Sequence, residues 1–211
     1  AAAAAPAVQV FQALAAANAL QPESAFGERA EAPPELCASG WQAATMADAV
    51  AAGAAAAAEP LFFWSHRPGR AGRRACLSNW SGSNFSLDGI AFSSGEQALM
   101  YAKARLFGDA ARAAAILAVP SPGVGPADDA HGSAVQALGR LVANFDPVVW
   151  DTASVPIASA VLLAKFSQNA GMGDFLLATC GRRLVEASPH DCIWGIGLGA
   201  AAAAALAPDD L

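Results

Sequence analysis

Glu96, Met100, Lys103 and Phe107 recur at i, i+4, i+7 and i+11, the spacing of a single stripe along a helix. A carboxylate and an amine on an otherwise apolar stripe conflict with simple patterning, and such conflicts gather at functional sites. The plain structural reading of Glu96 is a helix cap, and that of Lys103 is a side chain snorkelling at a domain edge. Two helical turns would separate the pair by about 10 Å, so they would flank a small substrate instead of pairing. A second carboxylate, Asp191, stands three residues before Trp194 in the segment Pro189-His190-Asp191-Cys192-Ile193-Trp194-Gly195-Ile196-Gly197. Loops held by a scaffold often carry catalytic groups; the plain reading here is a capping Asp and a core Trp.

Two carboxylates, a lysine and several aromatics are the inventory that cleavage of an N-glycosidic bond requires. One carboxylate steadies an oxocarbenium-like transition state or activates water. A second acid helps the base leave, and aromatic rings hold it. Lys103 offers a different route, attack on an opened ribose aldehyde to give a Schiff base, and spacing does not choose between them. Of the twelve Lys and Arg residues only Lys103 and Lys165 are Lys. In so Arg-biased a chain, a retained Lys marks a place where a removable proton matters.

These residues need elements to position them. Leu61 to Ser65 reads as a buried strand and Cys76 to Trp80 as a second short extended segment, with a Gly/Arg-rich loop between. Phe85 to Phe92 contains Asp88-Gly89 between two alternating runs, which predicts a type I′ hairpin pairing Leu87 with Ile90 and Phe85 with Phe92. Ser93 and Glu96 stand in capping-box spacing, so a helix starts there and runs to about Phe107, ended by Gly108. Asp109 caps a second helix that Pro120 stops. Residues 120–133 read as a loop and Gln136 to Val142 as a short helix. Asp146-Pro147 starts another helix, but Pro156 predicts a break and a fresh start near Ser154, running to Gln168. A helix over Gly173 to Cys180, a strand over Leu184 to Ala187 and a loop over 188–198 complete the pattern. The fold class expected is α+β, mainly helical, with a small β-sheet or hairpin packed on several helices.

Composition narrows the function. Net charge is −6 and the sequence pI is about 4.9, which argues against general nucleic-acid binding. Four cysteines, none in C-x-x-C spacing, and three scattered histidines give no zinc pattern. We therefore expect neither a metal nor a cofactor, and a small-molecule partner. Cysteine usage points to a reducing, cytoplasmic setting. Organelle targeting stays open, although Glu23, Glu28, Glu31 and Glu35 are out of keeping with an acid-poor transit peptide. No apolar run reads as both long and bulky enough to span a membrane. Residues 1–59 are Ala-rich and low in complexity, with short helices possible around 7–20 and 42–57, and read as a tail or linker. The division expected is a tail over 1–59, a domain over 60–198 and an Ala-rich C-terminal tail over 199–211.

Several blocks, in this order, resemble the NADAR (YbiA-like) family of N-glycosidases. They are Leu77-Ser78-Asn79-Trp80; Phe85 to Gly89; Ser93 to Lys103 with Phe107-Gly108-Asp109; Ser121-Pro122; Leu138-Gly139-Arg140; Trp150; Lys165 to Asn169; Leu177-Ala178-Thr179; Leu184 to Ser188; and Asp191 with Ile193 to Leu198. The resemblance implies hydrolysis of a bond between ribose and a nitrogenous base. Substrates would be early phosphoribosylamino-pyrimidine intermediates of riboflavin synthesis or ADP-ribosylated guanine, including guanine within a nucleic acid. It implies active-site positions at Glu96, Trp150, Asp191 and Trp194, with Lys103 in the family motif and Asn79 and Arg140 as contacts to ribose or phosphate. The sequence departs from the pattern twice. Gly123 to Val135 is additional and is expected to alter the pocket rim. After the Trp-Gly-Ile-Gly loop the chain passes into Ala200–Ala205, where the family continues with a G-x-N-x-L-G block. That second departure supports an alternative, a non-catalytic ADP-ribose- or nucleotide-binding module or a degenerate, truncated member.

Overall fold

The computed structural model describes residues 59–122, 126–179 and 181–206; the expected helices near 7–20 and 42–57, the tail at 1–58 and residues 207–211 lie outside them. Strand β1 (Leu61–Phe63) leads into a short helix, α1 (Pro68–Ala71), and a 3-10 turn (Gly72–Leu77). The hairpin β2 (Gly82–Leu87) and β3 (Ile90–Ser94) follows, then helices α2 (Gly95–Leu106), α3 (Ala110–Leu117), α4 (Pro126–Arg140), α5 (Pro147–Gln168) and α6 (Ala170–Leu177). Strand β4 (Leu184–Glu186) and helix α7 (Ala200–Ala203) close the described chain. Among the described residues there are two two-stranded sheets, β1 with β4 and β2 with β3, so the architecture is the mainly helical α+β one expected.

The hairpin forms as the Asp-Gly signal predicts. Leu87 pairs with Ile90 and Phe85 with Phe92, and Asp88 and Gly89 both take positive φ, as a type I′ turn requires. Along β2 the buried side chains alternate, and Phe85, Leu87 and Phe92 face the core. Phe92 meets Phe85 on one side and Tyr101 of α2 on the other, with ring centroids 5.8 and 5.5 Å apart. Ile116, Val135, Ile157 and Val161 of the surrounding helices complete the core.

Four readings are corrected. Residues Gly72–Leu77 form a 3-10 turn and not the start of an extended segment. The stretch read as a loop to 133 is helical from Pro126, so the short helix expected at Gln136 is the last third of α4. Its helical spacing is supplied by burial of His131 and Val135, which a run of Pro, Gly and Asp concealed. The helix expected at 173–180 lies at Ala170–Leu177. Pro156 does not break α5, which is one helix of 22 residues. An interior proline costs about 3 kcal/mol; burial of Ala153, Ile157, Ala158 and Val161 around it offsets that cost. Undivided, α5 is long and apolar enough, by length and composition, to cross a membrane, a property that the expected break hid. Here its buried face packs on β2 and α2. Its C-terminal end is stitched to the hairpin edge by Gln168, whose carboxamide accepts from Ser86 N at 2.9 Å and donates to Ser86 O at 2.8 Å.

Candidate active site

Helix α2 begins one residue later than the capping box predicted. The cap is Ser94, whose hydroxyl accepts from Gln97 N at 3.1 Å. Gln97 Oε1 in turn accepts from Ser93 N at 2.9 Å. Ser94 and Gln97 thus do the capping expected of Ser93 and Glu96, and Glu96 is released from it. The Glu96 N–H donates to Asn79 O at 2.9 Å, which ties the first turn of α2 to the 78–80 segment. Gly95 permits this approach, because a Cβ there would lie 2.7 Å from Asn79 Oδ1.

The Glu96 side chain is buried, and its pKa is raised from 4.5 to about 7. Burial is the main cause, repulsion from Glu186 and Asp191 adds to it, and Arg140 and Lys103 oppose it. Glu96 therefore keeps its proton near neutral pH. Glu186 is raised as well, by burial and then by Asp191. Three carboxylates and a guanidinium share one field, a pattern typical of acid–base sites.

Glu186, Asp191 and Arg140 line a cleft of about 800 Å³. One wall is a polar stripe of α4, Asp129, Ser133, Gln136 and Arg140, spaced i, i+4, i+7 and i+11 and so about 16 Å long. Two glycines seat this helix. A Cβ at Gly132 would overlap the Trp80 ring at 2.2 Å, and one at Gly139 would overlap Met100 Sδ at 2.0 Å. The facing wall is the segment after β1, from Trp64 to Arg67, with Glu186, Ser188, His190, Asp191, Ile193 and Trp194. Parallel pairing sets Phe63 beside Glu186 and so brings this wall together from residues over 120 apart in sequence. Across the mouth Asp129 pairs with Arg67, and its Oδ1 lies 2.8 Å from His66 Nε2. Trp64 is flanked by Arg70, 5.9 Å from its ring centroid, and by His190 at 6.2 Å.

Asp191 shapes its loop. Its Oδ1 accepts from Ile193 N at 2.8 Å and Trp194 N at 3.0 Å, an Asx turn that presents Trp194, 48% exposed, at the cleft. The other oxygen has no hydrogen-bond donor among the described residues. Asn79, between the cleft-lining Ser78 and Trp80, holds a buried Oδ1 without a donor in the described structure. An unmatched buried acceptor costs about 1–3 kcal/mol.

The expected residues thus fall into two groups. Asp191, Trp194 and Arg140 line the cleft; Glu96, coupled to Asp191 and Arg140, and Asn79, bonded to Glu96 N, are buried next to it without lining it. Lys103 and Trp150 do not line it. They form a second cluster farther along α2, where Lys103 Nζ lies 4.2 Å from the Phe145 ring centroid and 5.5 Å from that of Trp150. Burial lowers the Lys103 pKa and Glu96 opposes the shift. Glu186, Trp64, Trp80, His66 and Asp129 were not singled out from the sequence. For Glu186 the available signal was a carboxylate inside an apolar three-residue strand. Lys165, noted for its rarity but given no role, is fully buried and donates to Ser78 O at 2.8 Å. Its pKa is lowered to about 8, mainly by burial. It holds the segment that presents Ser78 and Trp80. Among the described residues no group of His, Cys, Asp and Glu is arranged to hold a metal ion.

Comparison with known proteins bears on this arrangement. The NADAR domain family model matches residues 62–209. N-glycosidase R617 of Acanthamoeba polyphaga mimivirus is 37% identical over 145 residues, covering 66% of this chain and 79% of that protein. Protein irg-1 of Caenorhabditis elegans is 37% identical over 111 residues, 52% of this chain and 48% of that one. A shorter match, 40% over 48 residues, is to the chloroplastic riboflavin biosynthesis protein PYRR of Zea mays, covering 23% of this chain and 8% of that one. In three dimensions the chain is similar to the NMR structure of the E. coli protein YbiA, with a TM-score of 0.54 and 23% identity over 68% of this chain and 74% of that one. That likeness shows a shared fold.

Proposed function

The chain belongs to the NADAR domain family and is an enzyme of its N-glycosidase kind; on that premise we propose that it hydrolyses the bond between C1′ of a phosphorylated ribose and a nitrogen of a purine- or pyrimidine-type base. The observation that carries this reading is Glu96, a buried carboxyl that keeps its proton to about pH 7 beside three residues that line the cleft, Asp191, Glu186 and Arg140. Glu96 gives its proton to the departing base. The open oxygen of Asp191 steadies the positive charge that grows at C1′ and then takes a proton from water as its oxygen bonds to C1′. The products are the free base and the ribose bearing a new hydroxyl. Glu186 acts by repulsion, keeping Glu96 protonated. Arg140 meets phosphate, Asn79 Oδ1 accepts from a ribose hydroxyl, and the indole of Trp194 covers the base.

Two substrate classes fit this chemistry, phosphoribosylamino-pyrimidines of riboflavin synthesis and ADP-ribosylated guanine. Incubation with each tests the proposal. Release of ribose 5-phosphate or of ADP-ribose is expected, and is lost in Glu96→Gln and Asp191→Asn. Tight ADP-ribose binding with no release from either substrate would overturn hydrolysis and favour a binding module. One observation favours a second route. The Lys103 amine, its proton loosened by burial, has the chemistry to attack an opened ribose aldehyde. Borohydride would then trap a covalent adduct on Lys103.

A further inference from the structure

Helix α4 carries Arg140 at one end and, nine residues earlier, a histidine that touches no part of the cleft. His131 is 4% exposed, and Ser94, the cap of α2, is 0% exposed. The imidazole sits between two oxygens. Nδ1 lies 2.6 Å from Pro120 O and Nε2 lies 2.8 Å from Ser94 Oγ. A carbonyl can only accept, so Nδ1 bears the hydrogen, and in the tautomer that carries one hydrogen Nε2 is an acceptor. The Ser94 hydroxyl, which already accepts from Gln97 N, therefore donates to Nε2. Every polar atom in this chain is used: Pro120 O, both ring nitrogens, the hydroxyl and Gln97 N. Ser94 stands two residues before Glu96, and Glu96 N is itself fixed to Asn79 O. Close packing of Gly132 on Trp80 keeps the neighbouring His131 from drifting.

We propose that His131 is a positioning residue for the reaction. Through Ser94 it fixes the first turn of α2 and so holds the Glu96 carboxyl in its dry place beside the cleft. This rests on the reading of Glu96 as the acid. With alanine at 131 the Ser94 hydroxyl loses its acceptor, the first turn loosens, and water reaches Glu96. A misplacement of about 1 Å at a reacting group costs up to about 10²-fold in rate.

The test has two readouts. The first is the titration of the Glu96 side chain by NMR, which needs no substrate. Its midpoint is expected to fall toward the ordinary carboxyl value in His131→Ala and in Ser94→Ala. It should return in His131→Gln, whose carboxamide both donates and accepts. The second is kinetic. Both alanine variants should lose about 10²-fold in kcat with KM within about twofold, and the double variant should lose no more than either alone, as one shared network requires. An unmoved Glu96 midpoint in both alanine variants would overturn the proposal, as would losses that multiply in the double variant. If His131→Ala fails to fold, Ser94→Ala and His131→Gln carry the same comparison. A wild-type chain that turns over neither substrate would refute the proposed function, while the Glu96 midpoint would still decide the role of His131.

Discussion

The two ends of helix α2 present opposite solutions to placing a charge on a mostly apolar stripe. At the N-terminal end, Glu96 is buried among other acids and stays neutral to about pH 7. Farther along, Lys103 is half-buried and rests its ammonium against the faces of Phe145 and Trp150, where ring quadrupoles attract a cation. One end suppresses a charge and the other shelters one. A group held neutral against its ordinary state is ready to give a proton, whereas a cation on aromatic rings is ready to bind or to orient. The first arrangement therefore reads as the acid of the reaction and the second as its support.

Substitutions can break or sharpen this contrast. The largest effect is expected from Glu96→Gln, which should lower kcat by about 10²–10⁴-fold with the fold intact, measured as base released at saturating substrate. Lys103→Arg keeps a cation on the rings and should cost less than about 10-fold if the carboxylates carry the chemistry. A loss as deep as that of Glu96→Gln, with a borohydride adduct in the wild type, would reverse the two roles, because Arg cannot form an imine. Glu186→Gln removes one source of repulsion, so Glu96 should lose its proton at a lower pH. The alkaline limb of the rate profile is then expected to move to lower pH, and an unmoved limb would separate Glu186 from the acid.

Stability gives a further contrast. Unfolded, Glu96 titrates at the ordinary value of 4.5, and folded at about 7. Between those values the folded chain binds more protons, so this contribution is fully present below 4.5 and lost as pH rises through 7. Glu96→Gln should melt with the wild type at pH 4 and above it at pH 8, read as Tm by circular dichroism. The smallest effect is expected from Phe145→Ala, where a lost cation–π contact worth about 0.5–2 kcal/mol lowers Tm by a few degrees at any pH between 5 and 8.

Much of the local architecture was legible because it is written in short-range chemistry. Asp88-Gly89 dictates its turn, Asp109 and Asp146 cap the helices that follow them, and Gly108 ends α2 with a positive φ. Pro156 misled for the converse reason, since its local penalty is outweighed by burial that adjacent residues do not reveal. The site divides in the same way. Glu96, Lys103, Asp191 and Trp194 could be singled out because each is an ionisable or aromatic residue in an unusual setting within its own segment, whereas Arg140 came only from the family resemblance. Trp64 and Asp129 could not, and Glu186 offered only a carboxylate in a short apolar strand. Their roles arise from the β1–β4 pairing and from the seating of α4 on Trp80, contacts between segments far apart in sequence. The sequence by itself determined which groups could do chemistry and where α2 ends. Tertiary structure alone decided which of them meet, that Ser94 and not Ser93 caps the helix, and that Glu96 lies among like charges in a dry place, because desolvation and repulsion depend on through-space neighbours that no local spacing encodes.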